Sequence, residues 1–155
     1  MSRQKARSIG AQWNPVVLRL ALGIVLLVSG IGKVFAAGPK AVGIGNFAGM
    51  LASLGVPVST VVAWLVALGE VGCGVLLLLG LFTRYAAAVS AAITFAAMTL
   101  VHLPDGFAAS DGGIEYTMVL VLVSIALVLS GPGALSVERT VLGDELFVPI
   151  ETSRN

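Results

Sequence analysis

VSTVVAWLVALGEVGCGVLLLLGLF, residues 58–82, decides the fold. It follows Pro57 and carries one charged side chain, Glu70, 12 residues from each end. A helix that crosses a bilayer needs about 20 consecutive, mostly apolar residues. This stretch is long enough, and its single acid sits at the level where a charge is most costly, about 2.5–3.5 kcal/mol on insertion scales. It therefore reads as a transmembrane helix with a functional or clamped residue at its centre.

Three further stretches read the same way: Val16 to Ala36 after Pro15, Tyr85 to Leu103 before Pro104, and Ile114 to Ser130 before Gly131-Pro132-Gly133. Proline suits the first turn of a helix and cannot continue one, so these prolines punctuate the spans where hydropathy ends them. The expected fold is an all-α membrane protein, a four-transmembrane-helix bundle. Its expected organisation is a basic N-terminus at 1–15, a membrane domain at 16–131 (spans about 16–36, 58–82, 85–103 and 114–130) and a short tail at 132–155. The first span is too long, and too charged at Arg19 and Lys33, for the 7–15 apolar residues of a signal peptide.

Composition over all 155 residues agrees: 57% hydrophobic, 11% charged, mean hydropathy +1.02. Soluble domains carry about 25% charged residues, so a soluble globule is excluded, and disorder is excluded by the same hydrophobicity. A net charge of +1 lacks the basic face of a nucleic-acid binder. The lone Cys73 cannot close a disulfide within one chain. One His and one Cys, on different spans, give no metal site, and no nucleophilic triad, P-loop or dinucleotide fingerprint occurs.

Orientation follows basic residues near span ends. With the N-terminus inside, Arg3, Lys5, Arg7, Arg84, Arg139 and Arg154 are cytoplasmic and Lys40 is outside. Both termini are then expected in the cytoplasm. Between the first two spans, Ile44, Phe47, Leu51 and Leu54 recur at helical spacing, which predicts a short amphipathic helix on the outer interface.

The charges inside the spans mark the candidate site: Glu70, Arg19, Lys33, His102, Glu115 and Arg84. Arg19, Gly23, Leu26, Gly30 and Lys33 share one face of the first helix, and its glycines allow close approach of a neighbour. Arg84 and His102 are 18 residues, five whole turns, apart. Glu115 opens the fourth helix, where the macrodipole favours an acid. Centring each span puts Arg19 and Lys33 about 12–14 Å in depth from Glu70, so a clamp to either needs long side chains and tilt. An unpaired Glu70 would be neutral and a hydrogen-bond donor. Arg19, Lys33, Glu70 and His102 are expected to share one polar seam. The plainer readings are snorkelling for the two basic residues, a topology signal in a two-residue inner loop for Arg84, and a Glu–Arg or Glu–Lys clamp for Glu70.

The chain resembles the DoxX family of small four-helix membrane proteins. The likeness is carried by Leu18-Arg19-Leu20 and Gly30-Ile31-Gly32-Lys33, by Phe47 to Pro57, and by Glu70 with Gly74. Leu77 to Arg84, Gly113-Ile114-Glu115-Tyr116 and Gly131-Pro132-Gly133 complete it. After that triplet the family usually continues with Arg and an aromatic, where this chain has Ala134-Leu135. The resemblance implies a plasma-membrane protein tied to redox metabolism. It implies no covalently bound cofactor, with a quinone as the candidate ligand. Three functions stay open: a quinone-linked redox subunit holding a small amphiphile, a proton-coupled carrier or efflux component, and a membrane scaffold for soluble stress-defence or redox enzymes. The expected partners are the lipid bilayer, a small amphiphilic ligand and a soluble redox enzyme; a homo-oligomer is left open.

Overall fold

The computed structural model describes residues 3–142, and within that range the side chains of 13–138 and 140. The described residues are helical with short turns and contain no strand. In chain order the helices are α1 (Arg3–Phe35), α2 (Ile44–Ser53), α3 (Ser59–Leu79), α4 (Thr83–Ala97), α5 (Glu115–Ser130) and α6 (Val137–Leu142). The expected basic N-terminal charges Arg3, Lys5 and Arg7, the Arg139 side chain, and the tail from 143 on lie outside the described side chains.

Trp13–Phe35, Ser59–Leu79 and the helical stretch Thr83–Asp105 are long and apolar enough to cross a membrane. The fourth bundle helix, α5, has 16 residues, about 24 Å against a hydrocarbon core of about 30 Å. The four pack in the ring order α1, α3, α4, α5, with α5 returning to α1. Leu22, Leu26, Cys73, Leu77, Ala87 and Leu127 fill the centre. Leu65, Leu68 and Val61 on α3 and Leu122 and Leu129 on α5 point outward and are exposed, as a surface solvated by lipid requires.

Two boundaries differ from the sequence expectation. α1 does not begin after Pro15 but runs through it from Arg3. A proline forfeits one i→i−4 bond and crowds one carbonyl; the upstream Gln4-Lys5-Ala6-Arg7, all good helix formers, still gain by continuing the helix. Arg84 does not lie in a loop but in the first turn of α4, because the α3–α4 turn closes earlier. Gly80 takes φ 67°, Leu81 N donates to Leu76 O at 2.9 Å and Gly80 N to Leu77 O at 3.2 Å. This is the hydrogen-bond pattern of a helix ended by a left-handed glycine.

Close approach of backbones sets the register of α1 against α3. A Cβ placed on Gly30 would stand 2.8 Å from Val71 N and 2.9 Å from Ala67 O, and one on Gly74 would stand 2.9 Å from Leu27 N. The two helices run antiparallel, with Gly30 level with residues 67–71 and Gly23 level with Gly74 and Leu78. α2 is the predicted helix between the first two spans. It buries Phe47, Ala48 and Leu51 against Ala63 of α3, while Leu54, the expected end of its stripe, is exposed. The loop before it is tied to α1 by Val42 N and Gly43 N, both donating to Gly32 O.

A cleft with a buried ion pair and a separate arginine staple

The spread of α1, α3 and α4 beyond their close contacts leaves a cleft of about 620 Å³ at the Lys33 end of the bundle, partly covered by α2 and bordered by α5. Its walls are mainly aliphatic: Val25 and Leu26, Val62 and Val66, Ile93 and Leu100, with Phe47 and Met50 from α2. The polar groups on it are few. They are Ser29, Lys33, Lys40, Glu70, Thr94, His102, Tyr116 and Thr117.

Lys33 and Glu70 form its polar focus. Lys33 Nζ donates to Glu70 Oε2 at 2.6 Å and to Oε1 at 2.8 Å. It also donates to Ser29 Oγ, four residues back on α1, at 3.0 Å. The ammonium lies 5.1 Å from the centroid of the Phe47 ring on α2, within cation–π range. Side-chain exposures of 13% and 9% make this a largely desolvated pair. The 12–14 Å depth gap expected between them is absent. The register is set by the helix contact and not by the centres of the two spans. The Gly30 contact places Glu70 level with Gly30, so Lys33 is three residues, about 4.5 Å, away along the axis.

His102 reaches the cleft by a local irregularity. After Ala97 the fourth helix widens into one turn of π-helix, Met98–His102, and then tightens over Leu103–Asp105. Single π turns recur at functional sites. His102 Nδ1 lies 2.6 Å from Gly112 O in the loop before α5. A carbonyl only accepts, so Nδ1 carries the proton, and in the neutral ring Nε2 holds the lone pair. Across the mouth, Lys40 stands 5.1 Å from the Tyr116 ring centroid.

The remaining expected site residues lie elsewhere. Arg19 is 14 residues from Lys33, about 21 Å along α1, and is 2% exposed. Its Nε donates to Leu77 O at 3.0 Å, Nη1 to Pro132 O at 2.5 Å and Nη2 to Leu135 O at 3.2 Å. Arg84 Nη1 donates to Val128 O at 2.6 Å and Leu129 O at 3.2 Å. α3 and α5 both end here, and helix C-termini offer unpaired carbonyls and negative dipole ends. The two arginines cap them. Glu115 accepts a hydrogen bond from Ala109 N at 3.0 Å and closes the loop before α5 rather than lining the cleft. The expected single seam through Arg19, Lys33, Glu70 and His102 is thus corrected: Lys33, Glu70 and His102 share the cleft, and Arg19 belongs to a separate staple.

Ser29, Phe47, Lys40 and Tyr116 also line the cleft, beyond the site residues expected from the sequence. Ser29 had a signal, its i−4 spacing from Lys33. Glu138 was also missed: it is 5% exposed and its Oε2 accepts from Thr83 N at 3.4 Å, pinning α6 to the start of α4. Nothing local in the sequence marks that contact. Among the described residues no three His, Cys, Asp or Glu side chains gather as a metal would require.

A family model described as DoxX matches residues 15–103. An uncharacterized membrane protein of Mycobacterium tuberculosis (strain ATCC 25618 / H37Rv) is 34% identical over 145 residues, covering 86% of this chain and 85% of the relative. No solved structure matches the chain.

Proposed function

This chain belongs to the DoxX family of membrane proteins, and from that premise we propose that it is a redox-associated, quinone-linked membrane subunit that holds a small amphiphile in the cleft beside Lys33 and Glu70. The observation that carries the reading is the cleft itself. Its volume of about 620 Å³ falls within the roughly 300–1,000 Å³ of small-ligand sites. Its walls are apolar, as a tail or ring demands, and its polar groups converge at one end, as a head group demands. A buried ion pair that served only to clamp α1 to α3 needs no cavity beside it.

The cell membrane is the proposed location, with both termini cytoplasmic. The basic residues Arg84, Arg139 and those before Ser8 then lie inside, and the Lys33–Glu70 end opens toward the outer leaflet. Reporter fusions after Lys40 and after Arg139 test this: an outside signal at Lys40 and an inside one at Arg139 support it, and the reverse overturns it.

The binding test uses purified protein in lipid nanodiscs, with decylubiquinone presented both oxidised and reduced with dithionite. Saturable binding of either form above empty nanodiscs, lost when Val66→Trp fills the cleft, supports the reading. Absence of saturable binding in both redox states overturns it. A proton-coupled carrier would use the same cleft, with Glu70 as the group that gains and loses the proton. It is distinguished by uptake into proteoliposomes that follows an imposed pH gradient.

A further inference from the structure

The hydrogen-bonding capacity of the cleft can be accounted for group by group, and what remains unused is nearly all of one kind. Lys33 has three donors and no acceptor, and its contacts to Ser29 Oγ and both Glu70 oxygens occupy them. Ser29 accepts from Lys33 and its hydroxyl also interacts with the Glu70 carboxylate. Thr94 Oγ1 donates to Ser90 O at 2.7 Å, and Thr117 Oγ1 donates to Ile114 O at 3.0 Å. His102 Nδ1–H is taken by Gly112 O.

The donors of the inner cleft are therefore committed to the protein. Its acceptors are not. A carboxylate offers about four lone-pair sites, and Lys33 and Ser29 leave part of Glu70 unfilled. The hydroxyl oxygens of Thr94 and Thr117 keep acceptor capacity after donating. In the Nδ1–H tautomer of His102 that Gly112 O selects, Nε2 remains an acceptor. The donors still open are Lys40 Nζ and the Tyr116 hydroxyl, both on exposed residues stacked on each other at the mouth.

We infer that the cleft selects an amphiphile whose head group donates hydrogen bonds, a phenolic or hydroquinone O–H, over the equivalent quinone or ether. An acceptor-only head would find no inner donor free. It would also leave the spare acceptor sites of Glu70 and His102 Nε2 without a donor, so it forgoes the hydrogen bonds that a donating head would make. This rests on the reading of the cleft as a ligand site and adds to it: on the quinone-linked reading, the reduced member of the couple is the form held.

The test separates the donor from redox state. 4-Decylphenol and 4-decylanisole share ring and tail and differ only in the O–H, which is methylated in the second. Binding of each to the protein in nanodiscs is read by equilibrium dialysis against empty nanodiscs. The phenol is expected to bind at least about tenfold more tightly, because a site built of acceptors rejects the analogue that lacks the donor. His102→Asn keeps a donor for Gly112 O and removes Nε2, and should reduce that preference severalfold. Lys33→Met with Glu70→Leu should reduce it further; the His102 variant decides the matter where that pair fails to fold. Equal binding of the two probes, or tighter binding of the ether, overturns the inference and leaves the cleft standing as a site. Preference undiminished in His102→Asn and in the folded pair variant places the donor's partner elsewhere and also overturns it. No binding of either probe, with none of the quinone couple, removes the site itself.

Discussion

The two ends of the bundle both bury positive charge, and they do it in opposite ways. Arg19 is closed off by main-chain carbonyls from α3 and from the segment after α5. Lys33 is closed off by one side chain, Glu70, with Ser29 and the Phe47 ring, at the wall of a cleft. Backbone carbonyls do not titrate and hardly move, so the Arg19 end is a fixed staple. A side-chain pair can be separated, repaired or shared with a ligand, so the Lys33 end has room for chemistry. What surrounds each charge sets the two ends apart: main-chain carbonyls, with the Glu138 carboxylate nearby, at Arg19, and a side-chain pair on a cleft wall at Lys33.

The comparison breaks first, and most severely, at Arg19. Arg19→Leu leaves four carbonyl contacts, to Leu77, Pro132, Ala134 and Leu135, without their donor. Hydrogen bonds to charged groups are worth about 1.5–3 kcal/mol each, so a loss of about 5 kcal/mol or more is expected. The thermal midpoint in detergent should collapse, while whatever protein remains folded should bind cleft ligands normally. Arg19→Lys should rescue only part, since an ammonium cannot present the planar fork that reaches these carbonyls. A near-normal midpoint for Arg19→Leu would show that the staple is ornamental.

Glu70→Gln probes the other end. It strands a mostly buried Lys33, and breaking a buried pair costs about 3–5 kcal/mol. The exposure of 13% at Lys33 places the expected loss at the lower part of that range. Lys33→Met combined with Glu70→Leu should recover most of the midpoint and yet weaken head-group discrimination in the cleft. Recovery of stability together with full ligand binding would reduce the pair to a clamp and make the two ends alike.

Between the ends lies the contact that sets their register. Gly30→Ala forces a methyl against Val71 N and Ala67 O, which are backbone and cannot rotate away. Overpacking of this kind costs about 1–3 kcal/mol. It should also weaken the cleft more than the staple, because it pushes Lys33 away from Glu70. In a Glu70→Cys, Cys73→Ala background, a short amine–thiol bifunctional reagent should join Lys33 to residue 70, and loss of that cross-link on adding Gly30→Ala would measure the displacement.

The smallest expected effect is at Phe47→Leu. It removes the ring over the Lys33 ammonium, worth about 0.5–2 kcal/mol, with little change in buried apolar area. The midpoint should fall by only a few degrees. Because α2 covers the cleft through this residue, ligand dissociation should quicken more than stability falls. An unchanged off-rate would show that α2 is not part of the cover.

Some of this was written in single stretches of chain. Arg19, Gly23, Leu26, Gly30 and Lys33 define by their spacing the face of α1 that meets α3, because a straight helix repeats with a period its own residues declare. Ile44, Phe47 and Leu51 announced α2 in the same way. The pairing of Lys33 with Glu70 was harder to read. Each helix states its own face, but the offset between two helices depends on which small residues meet. Gly30 against Val71 and Ala67 moved that offset by several ångströms.

The sequence alone determined the class of the protein, the helices and the short list of charges that had to be accounted for, since hydropathy and helical period are properties of local stretches. It also held the family likeness. The tertiary structure alone decided how that list divides. Partners 37 residues apart for Glu70 and 113 apart for Arg19, a π turn that delivers His102, and an acid in α6 that caps α4 all depend on where distant segments come to rest. A buried charge must find its counter-group in three dimensions, and which group that is follows from packing and register rather than from its neighbours in the chain.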